Sequence, residues 1–68
     1  MKWTDAEDIG FALAEKYPHD DPLMVPLPDL RDRVLALDGF RDAAGASTEA
    51  LLAAIRAAWH EEYQDGRR

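Results

Sequence analysis

Apolar residues recur at helical spacing in three stretches of this chain, separated by a proline-rich segment and by a run of small residues. Ala6, Ile9, Leu13 and Tyr17 follow one another at intervals of three and four, the repeat of a single helix face. Thr4-Asp5-Ala6-Glu7 ahead of them reads as a capping box. In that motif the threonine oxygen accepts the glutamate's backbone N–H while the carboxylate reaches back to the threonine N–H. The pattern predicts a first helix opening at Thr4 and ending near Tyr17, because Pro18 pushes the residue before it towards extended geometry. Gly10 falls mid-helix, where glycine costs about 1 kcal/mol relative to alanine. Either a close neighbour needs the missing side chain or the position is merely tolerated.

From Pro18 to Pro28 come Pro18, Pro22, Pro26 and Pro28, which predicts no helix but a stiff, structured crossover. Its apolar residues Leu23, Met24, Val25 and Leu27 gain nothing unless pressed onto the helices or paired as a short edge strand. Pro28-Asp29 is expected to open the second helix, with Leu30, Val34 and Leu37 on one face. Asp29 and Asp32 then lie near the positive end of the helix dipole. Gly39 is the expected stop. Phe40 to Ala46 reads as a loop, and Ser47 as the cap of a third helix with Glu49 in its first turn. Leu51, Leu52, Ile55, Ala58 and Trp59 give that helix the widest apolar stripe in the chain. After Tyr63 no apolar residue follows, so Gln64 to Arg68 is expected to be a frayed tail. The expected fold class is mainly α: one small three-helix, winged-helix-like domain spanning 1–68, with a Pro-rich crossover.

A 68-residue chain buries only about 60% of the surface its unfolded form exposes, so helix packing must supply nearly all of its stability. There is no cysteine, which removes disulfides and thiolate zinc sites as supplements. No basic stretch leads into an apolar run at the start and no long apolar run occurs, so neither a signal peptide nor a membrane span is expected. The reading is a soluble, cytoplasmic protein.

Charge narrows the partners. Fourteen acidic against eight basic residues give a formal charge of −6 and a pI near 4.6, which disfavours any polyanion. A phosphate backbone rewards Lys and Arg through counterion release, and the first turns of the third helix offer Thr48, Glu49, Ala50 and Ala53 instead. Nucleic acid is therefore not expected as a partner even though three helices with a short second loop suit a helix-turn-helix scaffold. A basic protein surface or a hard cation fits better.

Catalysis finds no support: without cysteine, with Ser47 used as a cap and only His19 and His60 as imidazoles, no nucleophile and base pair is apparent. His19-Asp20-Asp21 and His60-Glu61-Glu62 place imidazole beside carboxylates, a donor set suited to Fe(II), Mn(II) or Mg(II). Neighbours on a helix diverge by about 100 degrees, however, so His60, Glu61 and Glu62 do not converge on one ion. Weak chelation by carboxylates from several elements remains the open metal reading.

A set of residues spread along the chain adds something composition does not. Lys2-Trp3-Thr4-Asp5, then Asp8-Ile9-Gly10 and Leu13, then Tyr17-Pro18, Asp21-Pro22, Val25, Asp29, Leu37, Phe40, Asp42, Ser47, Glu49, Ala54-Ile55, Trp59 and Glu62 together resemble the IscX (YfhJ) family of small acidic accessory proteins of iron-sulphur cluster assembly. The resemblance runs without a gap from Lys2 to about Glu62. It implies a winged-helix-like fold without DNA-reading chemistry, and a non-enzymatic adaptor that binds the basic surface of the cysteine desulphurase IscS. Such an adaptor modulates sulphur delivery, competes there with frataxin-like proteins and ferredoxin, and holds Fe(II) only weakly, with no tightly bound cofactor. Carried over position by position, it nominates Asp5, Asp8, Asp21, Asp29, Asp38, Asp42 and Glu62 for partner binding, Asp5 also as a cap. Asp8, Asp38 and Asp42 are nominated for weak metal binding. Trp3 and Trp59 are expected in the core.

Departures from the family pattern matter as well. The acidic run and proline expected after the phenylalanine is Arg41-Asp42-Ala43-Ala44 here. Pro26-Leu27-Pro28 replaces Arg-Phe-Thr, and Arg33 replaces a tryptophan of the second helix. With most of that acidic loop gone, iron binding is expected to be poor while docking to a desulphurase persists. The alternative is a generic acidic winged-helix-like module for another basic partner.

Overall fold

The chain enters its first helix one residue later than the capping box predicts. In a computed structural model, which describes residues 1–66, the N-cap is Asp5, and no side chain caps the first turn. The Asp5 carboxylate instead accepts the Lys2 backbone N–H at 2.9 Å, while the Asp5 N–H bonds back to the Lys2 carbonyl at 2.9 Å. This reciprocal pair closes a turn over Lys2–Asp5 in place of the capping box expected at Thr4. Helix α1 (Ala6–Lys16) then buries Ile9, Gly10 and Leu13 and ends at Tyr17, as Pro18 requires.

The proline-rich segment is partly helical. Asp21 accepts the Leu23 N–H at 3.0 Å and caps a 3-10 turn over Pro22–Met24. That turn has three residues per revolution, so only Pro22 and Val25 face inward. Leu23 and Met24 are left 59% and 80% exposed, against the expectation that both press onto the helices. Helix α2 (Leu27–Leu35) starts ahead of the expected Pro28-Asp29 opening, because Pro28 stands in its first turn. The N–H that proline lacks has no partner within a helix there. No strand forms among the described residues, so the short edge strand is absent.

Helix α2 stops at Leu35 with Ala36 as its C-cap, four positions before the expected glycine. Gly39 turns the chain beyond it at φ +82°, and its carbonyl accepts from the Met1 ammonium at 2.8 Å. The opening residues lie along this turn: the Arg41 N–H bonds to the Met1 carbonyl, and the Trp3 indole Nε1–H to the Ala43 carbonyl at 2.7 Å. Phe40 meets the Trp3 ring edge-on at 4.7 Å. A second 3-10 turn, Ala44–Ala46, leads to helix α3 (Glu49–Asp65). Its N-cap is Thr48, whose Oγ1 accepts the Leu51 N–H at 3.1 Å. Ser47, the expected cap, donates its hydroxyl to the Ala44 carbonyl instead. Helix α3 continues through Gln64 to Asp65, reaching into the segment expected as a tail. Arg67 and Arg68 lie outside the described residues.

Helix α1 packs most extensively on α3, and Gly10 is the reason it can. A Cβ built there would lie 2.7 Å from the Trp59 backbone N and 2.8 Å from Ala58 atoms, closer than side chains are found to approach. The core holds Trp3, Ile9, Leu13, Val25, Leu30, Val34, Leu37, Leu52, Ile55 and Trp59. Every expected apolar stripe therefore contributes to it. Among the described residues the Trp59 indole N–H finds no acceptor, so apolar packing and contacts to its ring face hold that side chain. Arg33 closes the assembly. Its guanidinium pairs with Asp20 at 2.6 Å and lies 4.6 Å from the Tyr17 ring centroid and 5.9 Å from that of Trp59. One side chain thus ties the proline-rich segment and α2 to the α1–α3 contact. The radius of gyration, 10.7 Å, matches the roughly 11 Å of a compact chain of this length.

Candidate functional site

Helix periodicity determines what α1 presents to solvent. With 3.6 residues per turn, Glu7, Asp8, Phe11 and Glu15 fall on the side opposite Ile9 and Leu13. All four are exposed. Among the described residues, none of the three carboxylates forms an ion pair; the pairs present are Arg31–Asp32 and Arg33–Asp20. Lys16, the nearest cation along the helix, directs its ammonium to the Ala36 carbonyl at 3.1 Å. The field of the α1 carboxylates is therefore open to a partner.

Two shallow depressions extend this face. One, at the start of α1, is lined by Thr4, Asp5, Ala6, Glu7 and Asp8. The other lies between α1 and the chain leaving α2, lined by Ala12, Glu15, Lys16, Leu37 and Asp38. Asp8, Ala12 and Glu15 fall along one side of α1, so the two depressions follow one another along a strip that carries Asp5, Glu7, Asp8, Glu15 and Asp38, with Lys16 at its edge.

Of the nominated carboxylates, Asp5, Asp8 and Asp38 belong to this strip. Asp5 is committed to the Lys2 N–H, whereas Asp8 and Asp38 are exposed and hydrogen-bond nothing among the described residues. Asp21, Asp29 and Glu62 line neither depression. Asp21 caps the first 3-10 turn, Asp29 stands in the first turn of α2 and Glu62 is half-buried on α3. Asp42 serves the fold: its Oδ2 accepts the Trp3 N–H at 3.3 Å and its Oδ1 the Ala43 N–H at 2.8 Å. Glu7 and Glu15 escape a reading tied to family positions. Their signal is nonetheless in the sequence, since both lie opposite Ile9 and Leu13 on the helical wheel.

The metal reading is not matched by a preassembled site. Among the described residues no group of three or more His, Asp or Glu side chains is placed to hold an ion. Asp8, Asp38 and Asp42 are not gathered into one, and neither histidine cluster converges. Asp20, the middle residue of His19-Asp20-Asp21, is held by Arg33. None of the described helices is long and apolar enough to cross a membrane.

The structure thus defines a small helical protein whose chemistry is a strip of unpaired carboxylates on its first helix. Iron-sulphur cluster assembly is the family that the chain matches, over residues 1–64. The chain belongs to that family, which is the family of IscX and YfhJ. It is also similar to an uncharacterized protein of Pseudomonas aeruginosa, 45% identical over 62 residues that cover 91% of this chain and 94% of that protein. The family is one of accessory proteins of iron-sulphur cluster assembly, generally not catalytic.

Proposed function

We propose that this protein is a non-enzymatic, cytoplasmic adaptor of iron-sulphur cluster assembly. It docks through its acidic α1 strip on a basic surface of the cysteine desulphurase IscS and regulates sulphur delivery there. The observation that carries this reading is the absence of cationic partners for Glu7, Asp8 and Glu15 among the described residues in a chain of this family. Unpaired like charges on one face repel each other. An Arg- and Lys-rich surface removes that repulsion and steers encounter, and any other acidic protein using the same basic surface, frataxin-like protein and ferredoxin among them, competes for it.

On this reading the three helices are a winged-helix-like scaffold from which DNA-reading side chains are missing. Iron is secondary. Fe(II) favours oxygen donors, but with no preassembled cluster among the described residues and with Asp42 engaged by two backbone N–H groups, chelation at Asp8 or Asp38 is weak.

Calorimetric titration into the desulphurase, without metal and at low and physiological salt, tests the proposal. Binding should weaken steeply with salt, since surface charges are screened over about 8 to 10 Å. Asp8→Lys should weaken it about tenfold or more at low salt. Binding indifferent to both salt and charge reversal would refute electrostatic docking. No binding at all would leave an acidic module for another basic partner.

A further inference from the structure

Among the described residues no packing contact accounts for Phe11. It is 52% exposed, stands outside both the core and the partly buried residues packed on it, and takes part in neither ring pairing nor the cation contacts of Tyr17 and Trp59. Phenylalanine is also a poorer helix former than alanine or glutamate, so α1 gains nothing locally from it. Its position is specific even so. Glu7 and Asp8 precede it by four and three residues and Glu15 follows by four, the spacings that bring side chains together on a helix surface. The ring is flanked by carboxylates one turn before and one turn after.

An aromatic centre within a charged rim is the anatomy of a protein interface. Charge decides the occupant. A symmetric dimer would bring the same patch of each copy together, setting Glu7, Asp8 and Glu15 against their own counterparts, and an anionic lipid surface would meet the same repulsion. A basic protein surface has neither objection.

We infer that Phe11 is the apolar anchor of the α1 strip, and that the partner offers an apolar recess for one aromatic ring, rimmed by Arg and Lys that meet Glu7, Asp8 and Glu15. This rests on the docking reading above and assigns its affinity to two separable sources: the carboxylates govern encounter and salt response, and the ring governs residence. The recess also discriminates among basic surfaces, since one without it accepts the charges and not the ring.

The test compares wild type, Phe11→Ala, Phe11→Leu and Asp8→Lys in titrations into the cysteine desulphurase at two salt concentrations. Circular dichroism first establishes equal helix content. Phe11→Ala should lose about tenfold or more in affinity at both salts while keeping the wild-type salt slope. Phe11→Leu should recover part of the loss, and Asp8→Lys should flatten the slope. If wild type binds in a salt-dependent way and Phe11→Ala binds equally well, the anchor is wrong and the electrostatic docking stands. If wild type does not bind, the choice of partner fails and the anchor with it. A concentration-dependent dimer abolished by Phe11→Ala in sedimentation would give the ring to self-association and overturn the inference.

Discussion

Gly10 and Asp42 do different work from what their surroundings first suggest. At Gly10 the sequence leaves two explanations open, a close neighbour or simple tolerance, and the 2.7 Å that would separate a methyl group there from the Trp59 backbone decides for the first. Gly10→Ala should destabilise the protein by about 1 to 3 kcal/mol, as overpacking does. Gly45→Ala, with nothing within 4 Å of its Cβ, should stay within about 0.5 kcal/mol of wild type. Urea unfolding of both checks this, and equal midpoints would contradict the close crossing. Asp42 matches a family position nominated for partner and metal, yet its two oxygens hold the Trp3 and Ala43 N–H groups. Asp42→Ala should cost about 1 kcal/mol or more in thermal unfolding and leave the weak Fe(II) response in anaerobic titration nearly unchanged. Tight iron binding abolished by this substitution would refute that assignment.

Among the elements, all three helices and their buried faces are legible in the sequence because a 3.6-residue repeat is a local property. Their ends are less so. Thr4 and Ser47 each carry a hydroxyl one residue ahead of the true N-cap: Thr48 takes the capping role from Ser47, whereas Asp5 stands at the N-cap of α1 with its carboxylate turned back to the Lys2 N–H. The prolines exclude an α-helix only as far as Pro26, leaving room for the 3-10 turn at Pro22–Met24, since the first turn of a helix tolerates Pro28. What no local pattern reveals is the Arg33 clasp, because Asp20, Tyr17 and Trp59 meet it only after the chain has folded. A double-mutant cycle on Asp20 and Arg33 should give a coupling below about 1 kcal/mol, the pair being partly exposed. Arg33→Ala alone should cost more than Asp20→Ala, because it also uncovers the Tyr17 and Trp59 rings. Equal losses in chemical denaturation would reduce the clasp to its ion pair.

For the whole molecule, a net charge of −6 disfavours polyanionic partners but does not say where the charge acts. Three features support the α1 face: its exposed carboxylates, the groove that Glu15 and Asp38 both line, and the hydrogen bond that holds the Lys16 ammonium to the Ala36 carbonyl. Asp8 and Asp38 are legible through the family pattern. Glu7 and Glu15 are legible on the helical wheel, Phe11 becomes visible only once its exposure is known, and Asp21 and Asp42 brace loops. The central claim is that this one face meets the desulphurase. Adding unlabelled desulphurase in small amounts to the isotope-labelled protein and recording amide and aromatic signals by NMR tests it most directly. Early intensity loss confined to Glu7, Asp8, Phe11, Glu15 and Asp38 is the predicted result. Loss centred on the exposed side of α3, or on Leu23 and Met24, with the α1 signals intact would contradict it.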